Sequence, residues 1–139
     1  MSGSPTSTTV LVVEDAGPLC KMICSMLRDN GYNVLEAADG MEALSLVETD
    51  GDRIQLVLTD VVMPRLSGKE LARLLSVSRP DLPVLFMSGY SEDPVLHGMN
   101  SGSALFLRKP FTAHVLIEAV RQTLARASTR THHNGATGS

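Results

Sequence analysis

Five short apolar runs alternate with helical patterns along this chain, and that alternation leaves few folds open. Val10 to Val13 is continuously apolar and runs into Glu14 and Asp15. Leu19, Ile23, Met26 and Leu27 then recur at helical spacing. Pro18 suits the first turn of that helix, and Gly31 after Asn30 suits its end. Val34 and Leu35 mark a second strand. Asp39 with Glu42 three residues later reads as a capping box that opens a second helix. Ile54 to Thr59 forms a third strand ending at Asp60. Ser67 and Glu70 repeat the capping pattern before the apolar stripe Leu71, Leu74 and Leu75. Val84 to Met87 is a fourth strand ending at Ser88, and Ala104 to Leu107 a fifth ending at Lys109. The weakest helical pattern, Val95, Leu96 and Met99, fills about 92–100. Thr112 can cap a last helix, with Phe111 and Leu116 placed as a hydrophobic staple.

Strands that are apolar on both faces and alternate with helices indicate a parallel sheet covered on both sides. At 139 residues the chain fits one such domain, and 43% hydrophobic residues suffice for a core without staples. The five βα units fit half of a dinucleotide-binding fold or a flavodoxin-like domain. A glycine-rich G-x-G-x-x-G turn is missing after the first strand, which argues against a dinucleotide site. The expected fold is α/β: a flavodoxin-like, doubly wound, five-stranded parallel sheet of order 2-1-3-4-5 with five helices, over residues 9–127. Segments 1–8 and 128–139 lack an apolar period and are expected to be disordered, His132 and His133 included. Cys20 and Cys24, four apart in a helix, match neither a disulfide framework nor a C-x-x-C redox pair. They are expected to be ordinary helix residues in a reducing cytoplasm. No apolar run approaches the roughly twenty residues of a membrane span. A net charge of -3 gives no reason to expect nucleic-acid binding.

In such a sheet, ligands bind beyond the carboxyl ends of the strands where the strand order reverses. Glu14, Asp15 and Asp60 end the two strands that flank this point, with Ser88 and Lys109 following along the same edge. Taken singly, each has an ordinary use: a helix-capping acid pair, an acid or hydroxyl in a turn, a surface lysine. Together they form a set. Like charges packed so closely need neutralising, and a hard cation such as Mg²⁺ takes one or two carboxylates together with phosphate oxygens. A carboxylate is also a known phosphoryl nucleophile.

The segments VLVVED (10–15), LVLTDVVMPRLSG (56–68), VLFMSGY (84–90) and LFLRKPF (105–111) resemble the receiver domain of bacterial response regulators and hybrid histidine kinases. The resemblance covers roughly residues 8–127. It implies that Asp60 is the phosphoacceptor, with a phosphohistidine of a histidine kinase or histidine phosphotransfer domain as donor. It implies Mg²⁺ as cofactor, held by Glu14, Asp15, Asp60 and the backbone carbonyl of Val62. It makes Lys109 the phosphoryl contact, Ser88 the switch hydroxyl and Phe106 the aromatic switch, with a cis peptide before Pro110. The output would be a changed face of the fourth helix, fifth strand and fifth helix. Such a domain is not a conventional enzyme; it catalyses its own phosphorylation and dephosphorylation.

Ser88 stands where Thr is more frequent, and Phe106 lacks the phenolic hydroxyl of the common Tyr. Phe106 as a plain core aromatic stays open. Val62 and Tyr90 occupy positions that tune phosphoryl lifetime in the family, and slow self-dephosphorylation is expected. MSGYSED (87–93) looks like receivers fused to the carboxyl end of hybrid sensor kinases. The start near residue 9 and the polar tail suit such an excised domain; a stand-alone regulator is the alternative. The domain is expected to be a cytoplasmic monomer, as part of a hybrid kinase the cytoplasmic part of a membrane-bound sensor, with no membrane or nucleic-acid contact of its own. A non-phosphorylated interaction module would have lost an acid or the lysine. A hydrolase using an aspartyl phosphate would carry D-x-D in place of Glu14-Asp15.

Overall fold

The computed structural model describes residues 8–63, 65–88 and 105–138. The elements run β1 (Thr9–Val13), α1 (Gly17–Asp29), β2 (Asn33–Ala37), α2 (Gly40–Asp50), a 3-10 turn (Gly51–Arg53), β3 (Ile54–Asp60), α3 (Gly68–Ser78), β4 (Val84–Ser88), β5 (Leu105–Arg108) and α4 (Ala113–Gly138). All strand pairs are parallel, in the order β2-β1-β3-β4-β5. This is the flavodoxin-like sheet that the alternating pattern implies. Four helices fall among the described residues. The helix expected at about 92–100 lies outside them.

The continuous apolar runs follow from burial on both faces. Val10, Val12, Leu56 and Leu58 join a core with Ile23 and Leu27 of α1 and Leu116 and Val120 of α4. Their neighbours Leu11, Val13 and Val57 point the other way, into a core with Ala43 and Val47 of α2 and Leu71 and Leu75 of α3. Strand residues alternate faces, so both odd and even positions of β1 and β3 must be apolar.

Local signals place the helix ends. Asp39 Oδ1 accepts from the Glu42 amide at 2.9 Å, while Glu42 Oε1 accepts from the Ala38 amide at 2.7 Å. Ser67 Oγ accepts from the Glu70 amide at 3.1 Å, and Thr112 Oγ1 from the Val115 amide at 3.2 Å. Caps of this kind stabilise a helix by about 1 kcal/mol each. After α1 the Tyr32 amide donates to the Leu27 carbonyl and the Gly31 amide to the Arg28 carbonyl, with Gly31 at φ 91°. That six-to-one and five-to-two pair is a Schellman stop, and it needs a residue tolerant of the left-handed region.

The C-terminal helix differs from its expected extent. The sequence reading ends it near residue 127 and leaves 128–139 without structure; the backbone of α4 stays helical to Gly138. No proline interrupts residues 113–138, so nothing in the backbone chemistry forces a stop where the apolar period ends. Among the described residues no helix is long and apolar enough to cross a membrane.

Candidate phosphoryl site

The carboxyl edge of the sheet gathers the residues singled out by sequence. Glu14 directly follows β1, and its amide donates to the Ala37 carbonyl at the end of β2 at 3.0 Å. Asp60 is the last residue of β3, and Ser88 the last of β4. The Lys109 amide donates to the Ser88 carbonyl at 2.8 Å, so the chain leaving β5 is tied to the end of β4. The Lys109–Pro110 peptide is cis.

Lys109 closes the set. Its Nζ lies 2.5 Å from Asp60 Oδ1 and 3.0 Å from Glu14 Oε1. Glu14 Oε2 accepts in turn from the Ala16 amide at 3.0 Å. Glu14 and Asp60 are buried, at 3% and 5% exposure, whereas Asp15 is exposed. One carboxylate oxygen from each of Glu14, Asp15 and Asp60 lies within 4.8 Å of the others. An all-oxygen group of this kind fits a hard divalent cation. Ser88 Oγ is buried with no hydrogen-bond partner among the described residues. An unpaired buried hydroxyl is costly, on the order of 1–3 kcal/mol, so a ligand oxygen there would be stabilising.

Burial pushes the Asp60 carboxyl up to about 8; its hydrogen bond with Glu14 adds to the rise and Lys109 opposes it. For Glu14, burial works upward too. Hydrogen bonds with Asp60, the Ala16 amide and Lys109 outweigh it and hold the group below its ordinary 4.5. Burial opposes charge on Lys109, yet the two carboxylates prevail and raise it. Burial and the neighbouring Glu14 thus favour a proton on Asp60, while Lys109 and the backbone favour the charged form of Glu14.

The loop after β3 is held from two sides. The Val61 amide donates to the Met87 carbonyl at 2.9 Å, and the Gly68 amide to the Val61 carbonyl at 2.8 Å. A Cβ on Gly68 would stand 1.8 Å from the Asp60 carbonyl oxygen. Only glycine lets the start of α3 come this close to the acidic residue. Arg65, at φ 71°, pairs its guanidinium with Asp39, the cap of α2. Gly68 and Arg65 had no assigned part in the sequence reading. Their use depends on a contact between separate segments, which spacing along the chain does not reveal.

Val62, two residues past Asp60, is 58% exposed, and Tyr90 lies outside the described residues. Phe106 is half-buried on β5 and stacks on Phe86 of β4, with centroids 5.7 Å apart. Phe86 and Phe106 are direct partners in the ladder, and Ser88 is two residues further along β4 on the same face.

With this geometry in place, comparison with known proteins gives a clear result. The model of the response regulator receiver domain matches residues 10–121. The chain belongs to the response regulator receiver family. The receiver is 38% identical over 121 residues to the sensor kinase CckA of Brucella abortus, covering 86% of this chain and 13% of that protein. It is 37% identical to the response regulator MprA of Mycolicibacterium vanbaalenii, covering 86% of this chain and 51% of the regulator. The receiver thus spans a small part of the kinase and about half of the regulator. Among solved structures, the receiver domain of the hybrid histidine kinase CckA superposes with a TM-score of 0.70 at 34% identity, over 84% of this chain and 98% of that one. A receiver domain protein from Clostridium thermocellum gives 0.80 at 29% identity, over 88% and 98%.

The raised Asp60 carboxyl has a consequence for stability. An unfolded chain releases this proton near the ordinary value of 3.8, whereas the folded receiver holds it up to about 8. Between those values the folded state binds more protons, so stability of the metal-free protein falls as pH rises. Asp60→Asn removes that liability. In chelator at pH 7 the variant should be more stable than wild type by about 1–2 kcal/mol, or roughly 3–8 °C in midpoint. The difference should shrink toward pH 5. Thermal melts of both proteins across that range test it; a less stable variant at pH 7 would contradict the assignment.

Proposed function

We propose that this receiver accepts a phosphoryl group on Asp60 from a phosphohistidine of a histidine kinase or histidine phosphotransfer domain. The observation that carries the reading is the contact of Lys109 with both Asp60 and Glu14 beside Asp15, at the carboxyl edge of a receiver sheet. Glu14, Asp15, Asp60 and the Val62 carbonyl would hold Mg²⁺, which supplies charge neutralisation and orientation at the acidic edge when bound.

The deprotonated Asp60 carboxylate attacks phosphorus in line with the phosphohistidine bond. An oxygen–phosphorus bond forms, the nitrogen–phosphorus bond breaks, and the imidazole leaves with the electron pair and takes up a proton. The Lys109 ammonium favours the anionic form of Asp60 before attack and can follow the charge onto a phosphoryl oxygen afterwards. Ser88, whose buried hydroxyl has no partner among the described residues, would donate to another of those oxygens. That movement clears the face shared with Phe86 and Phe106, and Phe106 turning inward would alter the surface of β5 and its flanking helices.

The likeness to CckA supports a place within a hybrid sensor kinase, on the cytoplasmic side. The likeness to MprA keeps a separate regulator as the second reading. The domain acts on itself rather than turning over a substrate.

Beryllofluoride, a phosphoryl mimic, should raise the thermal midpoint of the wild type by several degrees in Mg²⁺, as a ligand at about 100 times its Kd adds about 2.7 kcal/mol. Asp60→Asn should show no rise. An unshifted wild type would favour a non-phosphorylated interaction module. Val62 and Tyr90 are proposed to limit the approach of hydrolytic water, so radiolabel on the purified phosphoprotein should decay slowly in Mg²⁺. Rapid decay, unchanged by Val62→Ala, would contradict that role.

A further inference from the structure

A second set of metal-ligating atoms converges away from the acidic edge, between α1 and β2. Cys20 and Cys24 are one helical turn apart and so share a face of α1. Cys24 is fully buried and Cys20 nearly so. Their Sγ atoms stand 4.0 Å apart, and Cys20 Sγ is also 4.0 Å from Glu36 Oε1 on β2. The three ligand atoms all lie within 4.8 Å of one another, and neither cysteine is in a disulfide.

An ion at the centre of such a triangle sits close to ordinary metal–sulfur and metal–oxygen lengths, about 2.3 Å and 2.1 Å. Two sulfurs and one carboxylate form a soft, mixed donor set. It suits a zinc-type cation and not Mg²⁺, which takes oxygen alone. The other Glu36 oxygen, Oε2, lies 3.6 Å from Arg28 Nη2. This pairing leaves Oε1 turned to the thiols and offsets the negative charge that two thiolates and a carboxylate would leave around a divalent ion.

We propose that Cys20, Cys24 and Glu36 form a binding site for a thiophilic divalent cation of the zinc class, with water completing the coordination on the exposed Glu36 side. Binding replaces two S–H bonds by two sulfur–metal bonds and releases two protons to solvent. Burial keeps both thiols protonated beforehand, that of Cys24 pushed up to about 12, so occupancy should weaken as pH falls. The filled site would pin α1 to β2 at Glu36, which pairs with Val12 two residues before Glu14.

Cd²⁺ titrated into the reduced, metal-free receiver tests this, read by the ultraviolet charge-transfer band of cadmium–thiolate bonds and by proton release. That band reports sulfur ligation and ignores cadmium held by Asp15 or Asp60. The expected result is a band saturating at one ion per chain with two protons released. It should persist in excess Mg²⁺ and in Asp60→Asn, and be displaced by Zn²⁺. Cys20→Ala and Cys24→Ala should abolish it. Glu36 is exposed, so Glu36→Gln leaves the core intact and should weaken affinity about tenfold or more. Absence of the band, or an affinity unchanged by Glu36→Gln, would overturn the site.

Discussion

Two buried carboxylates cannot both stay charged at one strand edge without a cation between them, and Lys109 is placed to meet that constraint. Its ammonium touches Asp60 and Glu14 together. Much of the fold can be seen as the means of bringing it there. The sheet order sets β1 beside β3, which joins the two acids. The bond from the Lys109 amide to the Ser88 carbonyl ties the lysine's backbone to the end of β4. The lysine offsets only part of the charge, since Asp60 still keeps a raised proton affinity. An edge left under-neutralised in this way is suited to take a further cation and a phosphoryl group.

The approach of α3 to the same edge is equally constrained. Gly68 lets the helix begin against the Asp60 carbonyl, and the Ser67 cap and the Arg65–Asp39 pair hold the loop on either side. The site therefore rests on strand ends and a short, bonded loop. Side chains fixed in this way lose little freedom when a ligand arrives, which is the basis of preorganised charge stabilisation.

The parts of this design that were legible in the sequence share one property: the information is local. Asp39, Ser67 and Thr112 announce helix starts because a cap acts on an amide three residues away. Glu14, Asp60 and Ser88 could be assigned to one edge because each directly follows an apolar strand. Features that depend on distant pairing were not legible. The need for glycine at position 68 comes from the Asp60 carbonyl, and the stack of Phe106 on Phe86 comes from the β4–β5 register. The convergence of Glu36 on Cys20 likewise requires knowing how α1 crosses β2. The extent of α4 was not legible for a different reason: an apolar stripe marks where a helix packs, and the backbone of α4 runs to Gly138, past the end of that stripe.

The account stands on Asp60 as the group that forms the phosphoryl bond, and intact-protein mass spectrometry addresses this most directly. The receiver and its Asp60→Asn variant would each be treated with acetyl phosphate and Mg²⁺ and then mapped by peptide. The account predicts a single phosphoryl addition on wild type, located at Asp60 and absent from the variant. An addition that survives Asp60→Asn unchanged would contradict it.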